Sequence, residues 1–62
     1  MLEEYVLQDC RKRQVVIKIY LVNGYQLTGT ISAHDEKCIE FVDENGYRKL
    51  LYKHAISTIE FH

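Results

Sequence analysis

With 62 residues, 8 basic and 9 acidic side chains, three histidines, two cysteines and no proline, the chain is one small domain of near-neutral formal charge, −1. That balance excludes a polyanion binder driven by net charge alone, and no apolar run approaches the roughly 18 residues of a bilayer span, so no membrane role is expected. Folding at this size buries only about 60% of the surface the unfolded chain exposes, so disulfides, a structural metal or self-association must add stability.

The first 14 residues place Leu2, Tyr5, Val6, Leu7 and Cys10 at helical spacing, with Glu3 and Glu4 in the first turn and Arg11, Lys12 and Arg13 in the last. That charge order complements the helix dipole and predicts a short amphipathic helix ending near Lys12. Val15 to Val22 (VVIKIYLV) is apolar on both alternating faces except at Lys18, as in a strand flanked on both sides. Asn23-Gly24 then signals a tight hairpin. Tyr25 to Ala33 alternates strictly, with Tyr25, Leu27, Gly29, Ile31 and Ala33 on one face and Gln26, Thr28, Thr30 and Ser32 on the other. Gly29 has no side chain to pack and marks a sharp bend or bulge that lets the sheet curl.

Lys37 to Val42 is a third strand and Tyr47 to His54 a fourth, joined through Asn45-Gly46. Ala55 to Phe61 is a short fifth strand that follows with no turn residues between, so it turns a corner instead of forming a hairpin with the fourth. The expected architecture is mainly β: one domain over residues 1–62, with a helix over 1–14 and a strongly bent five-stranded antiparallel sheet or small barrel over 15–61.

Cys10 and Cys38 form no CxxC pair and no signal peptide precedes them, which predicts a reduced, cytoplasmic chain in which both are apolar fillers. Histidine and cysteine spacings lack the short pairs of structural zinc sites, so neither metal nor cofactor is expected. His34-Asp35-Glu36 and His54 offer general-base types, yet no nucleophile or oxyanion-donor loop accompanies them, and the chain is not expected to be an enzyme. Self-association is what remains to stabilise the fold.

The stretches "IYLVNGYQLTGTI" (Ile19 to Ile31) and "YKHAIST" (Tyr52 to Thr58) resemble the two sequence motifs of the bacterial Sm-like RNA chaperone Hfq. With a loop two residues longer around Asn45-Gly46, the resemblance runs from about Leu2 to Thr58. It implies the Sm-like fold and a homo-oligomeric ring, usually a hexamer, in which the fifth strand of one subunit pairs with the fourth of the next and covers an exposed edge. It further implies binding of single-stranded RNA, A-rich above all, and promotion of pairing between small regulatory RNAs and messages.

By the same resemblance, the face opposite the helix (the distal face) uses Tyr20, the backbone at Gly24, Tyr25, Leu27 and Thr58 to form purine pockets, with Gln26 and Thr28 as polar edges. Lys49 stands where many members have glutamine and adds phosphate attraction. An aromatic at Tyr25 is similar to the Gram-positive version. Lys53, His54 and Lys37 fall at the proximal, U-rich site, but Glu36 and Lys37 stand where a glutamine and a stacking aromatic are usual, and Glu3 where glutamine is usual. A lost stacking ring and added carboxylates predict weaker U-rich binding. Arg11, Lys12 and Arg13 match a basic rim patch, with Gln14 in place of a further arginine.

Taken without the resemblance, Tyr20 and Tyr25 are good strand formers in their own right, and Lys53 and His54 are solvated residues at a strand end. An accessory paralogue with weak RNA binding, or a barrel that binds protein, is the alternative the same residues allow.

Overall fold

The structure, a computed structural model, describes residues 4–61; Leu2, Glu3 and His62, and the expectations attached to them, lie outside the described residues. Helix α1 (Glu4–Arg13) is followed by strands β1 (Ile17–Leu21), β2 (Gln26–His34), β3 (Cys38–Asp43) and β4 (Arg48–Tyr52), a single 3₁₀ turn (Lys53–Ala55) and β5 (Ile56–Phe61). The strands form one antiparallel sheet in the order β4-β3-β2-β1-β5.

α1 ends as its sequence requires, one residue later than expected. The N–H of Val15 donates to Cys10 O at 3.2 Å and that of Gln14 to Arg11 O at 3.4 Å, closing the helix with Gln14 at φ 53°. A side chain there is normally disfavoured, but the Gln14 Nε2 donates to Arg11 O at 2.7 Å and so offsets part of the cost. The helix buries Leu7 and Cys10. Tyr5, expected in the apolar stripe, is instead 70% exposed, because it lies two positions, about 200° of rotation, from Leu7. Burial pushes the Cys10 thiol above its ordinary value, in keeping with an apolar filler, and both cysteines are free.

Leu7 and Cys10 close a core otherwise made by Ile17 and Ile19 of β1, Ile31 of β2, Ile39 and Phe41 of β3 and Leu51 of β4. Period-2 burial along β1 and β3 puts these side chains on the inner face of a bent sheet. No polar side chain is buried with them among the described residues.

Both hairpins form, though not with the two-residue turns the Asn-Gly pairs suggested. Leu21 N donates to Tyr25 O at 2.8 Å and Gly24 N to Leu21 O at 3.0 Å; Asp43, Gly46 and Tyr47 repeat the pattern at 2.9 and 3.0 Å. Only Gly24 (φ 97°) and Gly46 (φ 86°) are left-handed, as in a three-residue loop ending in a glycine bulge. Asp43 Oδ1 holds its turn by accepting from the N–H groups of Asn45 and Tyr47.

At Gly29 the partner strand approaches closely. A Cβ there would stand 2.0 Å from Val42 O and 2.9 Å from the Asp43 Cα, so the partner backbone occupies the space a side chain would need. The register shift of β2 against β3 falls further on, between Ile31 and Ala33, so Gly29 is the point of close approach and Ser32 the bulge. That shift ends the strict two-face alternation expected as far as Ala33.

The fourth strand stops at Tyr52, and Lys53 and His54 belong to the 3₁₀ turn. Lys53 N donates to Lys37 O at 2.8 Å and Val22 N to Ala55 O at 2.8 Å, so the turn is fixed from the β3 side at its start and the β1 side at its end. It carries the chain across to β1, where β5 pairs from Ile17↔Phe61 to Leu21↔Ile56. β4 and β5 therefore form opposite outer edges of the sheet.

Candidate nucleic-acid interface

β1 is hydrogen-bonded to β2 on one side and β5 on the other, so side chains from three strands meet on the sheet's outer face. Tyr20 is the cross-strand partner of Gln26 and of Thr58, while Lys18 is partnered by Thr28 and Glu60. A shallow depression of about 550 Å³ lined by Tyr20, Thr58, Ile59, Glu60 and Phe61, residues of both sheet faces, runs along β5. The Tyr20 hydroxyl donates to Glu60 Oε1 at 3.1 Å, and Ser57 Oγ donates to Tyr20 O at 3.2 Å. Partial burial, then the Glu60 carboxylate, raise the Tyr20 phenol above its ordinary value, so it remains a donor at neutral pH.

The expected distal residues do not all share this face. Leu27 pairs with Ile19 and packs against the core, and Lys49 pairs with Phe41, both on the inner-facing register. Lys49 sits at the sheet margin with its Nζ 3.5 Å from Asp43 Oδ2. Tyr25 projects from the β1–β2 loop beside Gly24, 69% exposed, and its N–H donates to Asn23 Oδ1 at 3.1 Å. Tyr20, Gln26, Thr28 and Thr58 thus form one group within a chain, while Gly24 and Tyr25 lie in the β1–β2 loop, Leu27 faces the core and Lys49 stands on β4.

A second group of polar side chains forms where α1 meets the 3₁₀ turn. The Lys53 side chain is only 13% exposed and its ammonium pairs with Glu4 Oε1, while Glu4 Oε2 lies 3.3 Å from His34 Nδ1. That nitrogen is buried and, though near enough for an ion pair, is not aligned for a hydrogen bond. The Lys53 hydrogen bond, above all, holds the Glu4 carboxyl below its usual value. Asp35 joins the group: its Oδ1 accepts from Cys38 N at 2.8 Å and Lys37 N at 2.9 Å, and these bonds lower its carboxyl too. His54 is exposed, with its ring stacked on Tyr52 at 5.7 Å and 24°, and Lys37 and Glu36 are exposed on the β2–β3 turn.

Arg11, Lys12 and Arg13 project from the last turn of α1 into solvent, with Arg13 Nη1 3.1 Å from Asp9 Oδ2. Glu4, His34 and Glu60 are the residues a linear reading missed. Glu4 was accounted for by the helix dipole alone, His34 only as one member of an acidic-flanked triplet. Glu60 had one available signal, its period-2 spacing from Thr58 on β5.

This arrangement of strands and motifs has a counterpart among known proteins. The family model described as Hfq protein matches residues 2–62, nearly the whole chain. The chain belongs to the Hfq family. The RNA-binding protein Hfq of Alkaliphilus metalliredigens is 47% identical over 58 residues, covering 94% of this chain and 71% of that protein. That of Bartonella bacilliformis is 43% identical over 58 residues, covering 94% and 72%. Among solved structures, the crystal structure of the pleiotropic translational regulator Hfq superposes with a TM-score of 0.88 at 30% identity, over 92% of this chain and 93% of that one. An Hfq protein from Anabaena sp. superposes at 0.83 with 26% identity, over 94% and 92%. The helix and five-stranded antiparallel sheet are therefore the Sm-like fold of the Hfq family, as the two motifs implied.

Proposed function

We propose that this chain binds single-stranded RNA as a closed homo-oligomeric ring, with A-rich segments on the distal face, and promotes pairing of small RNAs with messages. The observation that carries the reading is the pair of unsatisfied edges. β4 and β5 lie at opposite sides of one sheet, and β4 leaves Leu50 62% and Tyr52 54% exposed. Docking β5 of one subunit onto β4 of the next satisfies both edges, and a heterologous contact of this kind closes into a ring when the rotation allows; six subunits is the proposed number.

The same docking joins the two halves of the distal set. Thr58 and Tyr20 stand at the β5 side of one subunit and Lys49 on β4, so across the contact they meet Lys49, Leu27, Tyr25 and Gly24 of a neighbour. Tyr20 and Tyr25 supply ring faces for stacking, and Gln26 and Thr28 hydrogen-bonding edges, in a form that tolerates sequence variation. Arg11, Lys12 and Arg13, repeated around the rim, supply local positive potential that the net charge conceals. Lys53, His54 and Lys37 make a weaker U-rich site, because Lys53 is already paired with Glu4.

Native mass spectrometry at micromolar concentration tests the ring, and titration of oligoadenylate against oligouridylate tests the surface. Monomers in the first measurement remove the ring. Absence of salt-dependent binding to either oligomer in the second favours a protein-binding barrel.

A further inference from the structure

We infer that His34 makes the helix-side RNA site respond to pH: on gaining a proton its imidazole shares the Glu4 carboxylate with Lys53 and so releases positive charge toward phosphate. The inference rests on the reading above that Lys53, His54 and Lys37 contact single-stranded RNA, and it adds a regulation of that site. One carboxylate stands between two nitrogen-bearing side chains: Glu4 Oε1 accepts from Lys53 Nζ, and Oε2 lies 3.3 Å from His34 Nδ1. The His34 side chain is only 12% exposed, and its Nδ1 is buried with no hydrogen-bond partner among the described residues. A buried polar atom left unpaired is costly, and here the acceptor that would satisfy it is already within reach.

Neutral imidazole carries its one proton on either ring nitrogen, whereas imidazolium has an N–H on both. Protonation therefore puts a donor and a full charge at Nδ1 beside Oε2, and a small tilt of the ring aligns the bond. Histidine is the side chain whose ordinary proton uptake falls between about pH 5 and 8. Around His34 stand Glu4 from α1, Lys53 from the 3₁₀ turn and Asp35 from its own turn, whose carboxyl feels both Lys53 and His34. β3 sets the uncharged Ile39 opposite it and the Cys38 thiol next along the strand, while Glu36 and Lys37, exposed on the same turn, offset each other. With His34 neutral, Lys53, Glu4 and Asp35 leave one negative charge, which repels phosphate. With His34 charged that excess is gone, and Lys53 no longer has Glu4 to itself.

Fluorescence anisotropy of a labelled oligouridylate at about pH 8 and pH 6 and fixed ionic strength tests this, with oligoadenylate as the control for the other face. Wild-type affinity for oligouridylate is expected to rise a few-fold on acidification, with little change for oligoadenylate. His34→Gln keeps a polar side chain of similar size that takes up no proton, and the rise is expected to be largely lost. His54 is present in both chains, so any response of its own appears in both, and the difference between them belongs to His34.

Glu4→Gln is the second route should His34→Gln fail to fold by circular dichroism, since the Glu4 side chain is 60% exposed. Removing that carboxylate leaves the same local charge as protonating His34, so this variant is expected to bind oligouridylate at pH 8 about as tightly as wild type at pH 6 and to change little on acidification. A flat wild-type profile, or an equal rise in wild type and the variants, overturns the role of His34 while leaving RNA binding in place. Oligoadenylate bound at both pH values and oligouridylate at neither overturns the helix-side site and the pH response with it. Binding of neither oligomer overturns the RNA reading itself, so the failures are distinct.

Discussion

On the β1–β2–β5 side the chain leaves its aromatic and polar side chains open: Tyr25 is 69% exposed, and Gln26 and Thr58 stand free on either flank of Tyr20. On the helix side, Lys53 has been drawn into the protein, 13% exposed, with Glu4 on its ammonium and His34 and Asp35 beside it. Both surfaces carry the residue types that single-stranded RNA requires. What separates them is whether those groups are already satisfied within the chain, since a ligand gains little from a cation whose counter-charge is built in. The difference teaches that a motif such as "YKHAIST" specifies a position in the fold and leaves the availability of its side chains to residues far away in sequence.

The comparison can be broken at its common scaffold first. Gly29→Ala places a methyl 2.0 Å from Val42 O, and neither backbone can yield without opening the β2–β3 ladder, so a loss of about 3 kcal/mol or more is expected in chemical denaturation, along with both surfaces. A Gly29→Ala chain of unchanged stability would remove the close approach from the account.

Tyr25→Ala sharpens the contrast by acting on one surface only. Loss of an exposed stacking ring costs about 1 to 3 kcal/mol per base, which predicts a fall of tenfold or more in affinity for A-rich oligomers and no change for U-rich ones. Equal losses on both would mean that one surface serves both ligands.

Glu4→Gln addresses the other surface with a smaller effect. An ion pair to an exposed carboxylate is weak, so releasing Lys53 is expected to raise U-rich affinity only a few-fold while A-rich affinity is unchanged. Unaltered U-rich binding would show that the lost stacking partner at Lys37, and not the ion pair, limits that site.

The smallest effect is on stability against pH. Asp35 has its folded pKa lowered by the Cys38 and Lys37 N–H groups, and Glu4 by Lys53. A depressed carboxylate contributes stability above its unfolded value and loses it as pH falls through the folded one. Thermal midpoints should therefore hold steady above about pH 5 and decline below the ordinary values of 4.5 and 3.8, and Asp35→Asn should flatten that decline.

Local rules made much of this legible. Helical spacing and charge order placed α1, alternation placed β2, and the two Asn-Gly pairs placed both hairpins, because these signals depend on neighbours within a few residues. The same rules misassigned Tyr5 and ran the fourth strand through His54. Tyr5 depends on which part of α1 meets the sheet, and the 3₁₀ turn is held by bonds to Lys37 and Val22, remote in sequence. Of the candidate site, the exposed residues Tyr25, Gln26 and Arg11 to Arg13 were legible as types. The partners that set their availability, Glu4 for Lys53 and Glu60 for Tyr20, were not, since those pairs span 49 and 40 residues.

By itself the sequence determined the order of helix and strands, the turn positions and, through two motifs, the Hfq family. Each of these is encoded by periodicity, by glycine's access to positive φ or by a contiguous word. Only the tertiary structure decided that β5 crosses to β1 and leaves β4 open, that Gly29 lies against the backbone of β3, and that Lys53 is clasped while Tyr25 is free. Those outcomes depend on which surfaces meet when the sheet bends, and a contact between distant residues has no local signature in the chain.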